Sequence, residues 1–372
     1  MSRPGRIPEQ IVPKLLQLGV QLEAHQLDAG LVSEIVNDLS TLPSRSVISV
    51  AAALSGMNGL FWRNPPSPPA SEVHWTRRLF GLSVPAPHTS PRLPADWRRR
   101  HMALLAGTPK LEFLFLFHPN GHIREAALDK LTDIPSPFFV SALALRLNDW
   151  AFQVRGAARR CVDRTLQKTS AAVVAEAALY LLEQSREWAR GQQDVRLLDE
   201  VFARPDVTEA LIGLVLTEQD GRVTRALDFA LVSDVLDDRL QTIAREALSP
   251  AVRAIALRTL IDGEARRRIG YNRQWIDKTF NLARRVPRFE TRAIVRPISM
   301  FDALAMAAVD RSAVVRRMAA EAIVRHRREL SNVAALLDLP RDDSSPSVLQ
   351  RVRFVADDLG LEIDDASRSK DP

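Results

Sequence analysis

Cysteine occurs once in the 372-residue chain, at Cys161. A single thiol excludes an internal disulfide and a cysteine-based zinc site, and it points to a reducing compartment. Long apolar runs are missing as well. No stretch approaches the roughly 18 consecutive apolar residues a membrane-spanning helix needs, so none is expected. The opening segment has no apolar core of signal-peptide length before charged residues resume, and a cytoplasmic location is the expectation. There is no Gly-x-Ser-x-Gly elbow, no P-loop and no dinucleotide-type glycine fingerprint. The chain therefore reads as non-enzymatic, with no cofactor, metal or small-molecule substrate indicated. Aromatic residues make up only 6%, while Ala, Leu, Val and Arg are abundant, which favours helices over sheets and an all-α fold.

What is present is arginine. Only 6 of the 51 basic residues are lysine, and the net charge is +6. That charge is unevenly spread: residues 264–328 hold sixteen basic against six acidic side chains, whereas residues 329–372 hold ten acidic against five basic. A basic block beside an acidic tail determines which partners each attracts.

Four zones follow from composition and periodicity. Residues 1–62 show helical spacing, for example Leu31, Ile35, Val36 and Leu39. Residues 63–96 carry eight prolines, too many for a helix interior, and read as a linker or surface excursion that Trp75, Leu79 and Phe80 pack against something. Residues 97–330 are repetitive, and 331–372 read as a helix followed by the acidic tail.

The repetition is carried by Ile123-Arg124-Glu125-Ala126-Ala127, Val154-Arg155-Gly156-Ala157-Ala158, Val252-Arg253-Ala254-Ile255-Ala256 and Val315-Arg316-Arg317-Met318-Ala319. The arginines are separated by 31, 98 and 63 residues, close to one, three and two units of roughly 32. Each copy follows a helix-start signal: Asn120, Asn148-Asp149, Ser249-Pro250 and Asp310 or Ser312. Paired helices of this kind bury an apolar face by stacking on their neighbours, so the expected architecture is an α-solenoid. Asn148 through Ala158, Ser249 through Leu257 and Asp310 through Ala320 resemble the second half of a HEAT repeat, with a turn acid or amide, then Val-Arg, then Ala one turn later. The resemblance spans roughly residues 97–330 and fades near 170–200 and 265–300. It implies a scaffold or interaction surface that binds a protein partner, and in some members one that binds nucleic acid. It also implies a structural role for Asn120, Arg124, Asp149, Arg155, Arg253, Asp310 and Arg316, each arginine pairing with a neighbouring unit's turn acid. The opposing reading is a ladder of arginines on phosphates.

Two stretches invite chemistry. His118-Pro119-Asn120-Gly121-His122 has two histidines four residues apart, but the Pro-Asn-Gly between them is turn material, so they flank a helix start rather than share a metal. The second stretch is the basic block: Arg266, Arg267, Arg268, Arg273, Lys278, Arg284, Arg285, Arg288 and Arg292, interleaved with Tyr271, Trp275 and Phe280. Such interleaving suits a nucleic-acid strand held by charge and stacking. It equally suits an amphipathic helix with Trp275, Phe280 and Leu282 turned inward. The one enzymatic reading the fold leaves open is the HEAT-like alkylpurine DNA glycosylases, whose basic face bears Trp, Asp and Arg. Trp150, Asp149 and Arg155 are the matching types here. The expectation is a protein-binding scaffold, with a nucleic-acid-binding array using residues 264–328 as the alternative.

Overall fold

A computed structural model describes residues 7–56, 60–61, 96–185, 188, 190, 194–219, 221–231 and 233–361, without the side chains at 229 and 268–270. The proline-rich 63–96 stretch, apart from Asp96, and the end of the acidic tail, 362–372, lie outside the described residues. The described chain is mostly helical and forms two compact units, residues 1–177 with 184–201, and residues 178–183 with 202–372.

The first unit is built from α1 (Ile11–Ala24), α2 (Ala29–Ser40), α3 (Val47–Gly56), α4 (Trp97–Gly107), α5 (Leu111–Phe115), α6 (Gly121–Lys130), α7 (Pro137–Leu147), α8 (Phe152–Thr165), the opening half of α9 (Ala171–Gln184), whose residues 178–183 count with the second unit, and nearly all of α10 (Val195–Phe202). Local chemistry sets the boundaries. Asp28 caps α2 by accepting from the Gly30 amide at 2.8 Å, and Asn120 caps α6 by accepting from the His122 amide at 2.9 Å. Apolar residues at helical spacing then turn inward, as Leu31, Val32, Ile35, Val36 and Leu39 do in α2. Phe113, Phe115, Phe138 and Phe139 fill the centre of this unit; each such ring contributes roughly 1.5–3 kcal/mol by leaving water.

The second unit contains α11 (Pro205–Thr217), α12 (Gly221–Ala230), α13 (Leu240–Glu246), α14 (Pro250–Asp262), β1 (Glu264–Asp277), β2 (Leu282–Ala293), α15 (Met300–Ala308), α16 (Ala313–His326), α17 (Val333–Asp338) and α18 (Pro346–Leu359). Helix α14 ends at Gly263, whose φ of 71° lies in the left-handed region that glycine adopts without strain. The chain then leaves helix altogether. Strands β1 and β2 pair antiparallel from Glu264↔Ala293 to Asp277↔Leu282, with bulges between Arg268 and Gly270 and between Trp275 and Asp277.

The repeated arginines tie helices together in one recurring arrangement. Arg124 donates through Nη1 to the carbonyls of His118 and Pro119, at 2.7 and 2.9 Å, and through Nε and Nη2 to both oxygens of Asp149, at 2.9 and 2.7 Å. Arg253 repeats this with the carbonyls of Ala247 and Leu248 and the carboxylate of Asp310, the latter at 2.7 and 2.8 Å. Arg316 takes the carbonyl of Asp310 at 2.8 Å and the carboxylate of Asp343 at 2.5 and 3.0 Å. Each acid also closes the turn that leads into its helix: Asp149 accepts from the Ala151 amide, Asp310 from Ser312 and Asp343 from Ser345. One carboxylate thus serves the turn before a helix and a guanidinium fork together. Arg155 makes half of the arrangement, reaching the carbonyls of Asp149 and Trp150, while Arg159 one turn later takes Asp194.

Burial sharpens the electrostatics. The side chains of Arg124 and Arg253 are 4% and 1% exposed, so neither presents a guanidinium to a phosphate. Arg146, also on Asp149, has its pKa lowered to about 10 because burial disfavours its charge. Burial raises the Asp310 pKa, but the hydrogen bonds from Arg253 and the Ser312 amide, with the charges of Arg253 and Arg311, together outweigh it and hold the carboxyl below its usual range.

Candidate functional site

Residues 264–293 were expected within a helical array, and the structure corrects that expectation. They form a two-stranded ribbon, and Trp275, Phe280 and Leu282 are exposed rather than packed inward. The physical reason is that neither strand has a helical apolar stripe. The bulges and the turn at Lys278–Asn281, with Asn281 at φ 52°, commit the chain to reversing direction. Asp277 Oδ1 stabilises that turn by accepting from the amides of Thr279 and Phe280 at 2.7 and 3.2 Å. Pro287 sits in β2 without penalty, because both strands of a two-stranded sheet are edges.

A lone hairpin is marginal in water, so its attachment matters. At its base Ala265 is buried, and Ile294 donates to the Gly263 carbonyl at 3.0 Å. Arg292 does the rest. Its Nη1 and Nη2 reach both oxygens of Asp237 at 2.9 and 2.7 Å, and Nη2 also reaches the carbonyls of Leu231 and Ser233 at 3.1 and 2.8 Å. This is the same fork-on-acid, fork-on-carbonyl arrangement as Arg124 and Arg253, supplied by a strand. Those hydrogen bonds to the Asp237 carboxylate raise the Arg292 pKa and hold the guanidinium charged. Arg292 was expected at the binding surface; its guanidinium is committed to anchoring. Arg267 likewise faces Glu290 at 3.0 Å near the base.

Beyond the base the ribbon runs into solvent. Residues 264–293 hold nine basic and three acidic side chains, a local excess of six. Arg273 lies over the Trp275 ring at 4.0 Å and donates to Asn281 Oδ1 at 2.9 Å. Arg266 lies over the Phe289 ring at 4.9 Å, and Arg284 donates to Gln274 Oε1 at 2.7 Å. Lys278, Arg285 and Arg288 are exposed and form no ion pair among the described residues. The side chain of Arg268 lies outside the described residues; its backbone pairs with Phe289. Tyr271 and Phe280 are 55% and 81% exposed, Phe280 at the tip. Exposed aromatics beside uncommitted cations are the composition of a recognition surface rather than of a core.

The two histidines of the first candidate stretch part company. His122 is exposed at the start of α6. His118 is buried and meets His101, Nε2 to Nδ1, at 3.1 Å, while its own Nδ1 accepts from the Asn120 amide at 3.0 Å. The Asn120 bond fixes the proton of His118 on Nε2, which therefore donates to His101. Burial lowers the His101 pKa to about 4 and takes that of His118 well below its ordinary value. Among the described residues, no group of three or more His, Cys, Asp or Glu side chains could hold a metal ion. No described helix is long and apolar enough to cross a membrane.

Trp150 stands exposed on the turn before α8 and Phe152 on the first residue of that helix, with Arg124 5.8 Å from the Trp150 ring centre. Asp149 beside them is buried and occupied by Arg124 and Arg146. In the second unit a cavity of about 230 Å³ at the ribbon base is lined by Asp228, Arg266, Arg267 and Glu290 among others, cations and anions facing one another. No protein-family model matches the chain, and no curated protein and no solved structure does either.

Proposed function

We propose that this chain binds nucleic acid through the 264–293 ribbon, with the repeated helices of each unit acting as HEAT-like support. The observation that carries this reading is the ribbon itself. It projects a local excess of six positive charges and exposes Tyr271, Trp275, Phe280 and Phe289 on a framework tied down at its base by Arg292. Charge of this density attracts phosphates at long range and releases their counterions on contact. The Arg124–Asp149, Arg253–Asp310 and Arg316–Asp343 links support a repeat array within each unit. They also account for why those arginines are not the binding ones.

A protein-binding scaffold is the second reading, and Trp150 and Phe152 favour it. Two large apolar side chains, 69% and 77% exposed beside one another in sequence, are what a partner's apolar patch would cover.

Binding to a labelled oligonucleotide at rising salt separates the two. The nucleic-acid reading expects affinity to fall steeply with salt, and Arg285→Glu with Arg288→Glu to weaken binding about tenfold or more while lowering the log–log salt slope by roughly two. No detectable binding at low salt overturns it and leaves the scaffold reading.

A further inference from the structure

We infer that the ribbon takes unpaired bases, on one of its two faces, so that the preferred substrate is a single strand rather than a duplex. This inference rests on the nucleic-acid reading above and deepens it.

The register determines the faces. Directly opposed residues of an antiparallel pair share a side, and successive residues alternate. On β2, Ala283, Arg285, Pro287, Phe289 and Thr291 therefore share one face. Their partners on β1 are Trp275 against Ala283, Arg273 against Arg285, Tyr271 against Pro287 and Arg266 against Thr291. The bulge between Arg268 and Gly270 is what switches β1 from even to odd positions on that face. Without it, Tyr271 and Trp275 would point away from Arg266 and Phe289. The result is a face carrying Arg266, Tyr271, Arg273, Trp275, Arg285 and Phe289. The ring and guanidinium contacts agree with this sorting, Arg266 over Phe289 and Arg273 over Trp275.

The opposite face is different in kind. It carries Asn272, Gln274, Arg284 and Arg288, and at its base Ala265, Arg267 and Arg292 turn into the helical unit. Rings are thus collected on the face that is not used for attachment.

That sorting decides between substrates. A duplex has its base faces already stacked on one another, so it offers phosphates and base edges, which arginines alone can take. A row of exposed rings interleaved with cations gains only where bases have free faces to stack, with the guanidinium groups beside them holding the phosphates.

The test compares a mixed-sequence single strand of about 20 nucleotides with the blunt duplex of the same sequence, by fluorescence anisotropy at low salt, on the full chain. The single strand is expected to bind at least about tenfold more tightly than the duplex. Tyr271→Ala with Trp275→Ala removes two rings and no charge. It should weaken single-strand binding on the order of 100-fold with the salt slope unchanged, and alter duplex binding less than about threefold. Tyr271→Phe with Trp275→Phe should keep single-strand affinity within about threefold, and equal thermal melting of all variants confirms that folding is intact. Equal affinity for both substrates, or equal losses for both in the alanine variant, overturns this inference while leaving nucleic-acid binding standing. Failure to bind either substrate overturns both.

Discussion

Arginine leads two lives in this molecule. In the helical units Arg124, Arg253 and Arg316 lie with their forks closed on a neighbouring carboxylate and on carbonyls of the preceding turn. In the ribbon Arg285 and Arg288 stand in water with no acidic partner among the described residues. The side chain is the same, so position alone decides whether its five donors are spent on the fold or left for a partner. Arg292 belongs to the ribbon by sequence and to the helices of the second unit by its contacts, and it ties the ribbon to them.

The sharpest way to break the contrast is to remove a buried fork. Arg253→Ala leaves the largely buried Asp310 carboxylate without its guanidinium partner, and should cost about 3–5 kcal/mol in a urea unfolding titration. Arg253→Lys keeps the charge but loses the fork, and an intermediate loss separates geometry from charge. Arg285→Ala, from the exposed set, should change stability by less than about 0.5 kcal/mol. Equal losses at the two positions would erase the distinction.

Histidine extends the comparison, with His101 and His118 buried against the exposed His122. A buried histidine whose folded pKa lies below its unfolded value binds fewer protons folded than unfolded as the pH falls. Its contribution is fully present above the unfolded value near 6.5 and is lost below it, down to about 4 for His101. Between those limits each buried histidine should tilt stability by up to about 1.4 kcal/mol per pH unit. Urea titrations at several pH values check this: His101→Gln with His118→Gln should flatten the slope.

A smaller effect is expected at the junction. Arg292→Ala removes the ribbon's tie to Asp237 and the Leu231 and Ser233 carbonyls while leaving the Arg253–Asp310 and Arg316–Asp343 links alone. Global stability should fall by roughly 1–2 kcal/mol. Amide exchange should speed up within 264–293 much more than in α14 or α16. Uniform acceleration across the second unit would mean that the ribbon is an integral part of it.

The sequence makes the helical units readable for a local reason. Asn120, Asp149 and Asp310 precede their helices, and each arginine follows at short range, so turn closures and forks recur in register with the apolar stripe. The ribbon was hidden for the opposite reason. With both faces solvated beyond its base it has no apolar alternation, its two bulges break the period of two, and its four-residue turn lacks the Asn-Gly or Asp-Gly signature of a tight hairpin. Gly263 after a helix, the left-handed Asn281 and the local gathering of rings were the available signals. The candidate residues were therefore found by composition, while their sorting into an anchoring set and a solvent-facing set depends on register. His118 was legible as a helix-end residue, but its pairing with His101, 17 positions away, follows no local pattern.

The most direct measurement is the affinity for a labelled single strand between about 50 and 200 mM salt, taken for the natural chain and two charge reversals. Arg285→Glu with Arg288→Glu lies on the ribbon; Arg98→Glu with Arg99→Glu lies on the exposed surface of α4. The ribbon reversal is expected to weaken binding at least tenfold and lower the salt slope by roughly two, with the α4 reversal within about threefold of the natural chain. Equal losses from the two reversals, or an affinity indifferent to salt, would contradict the assignment of binding to the ribbon.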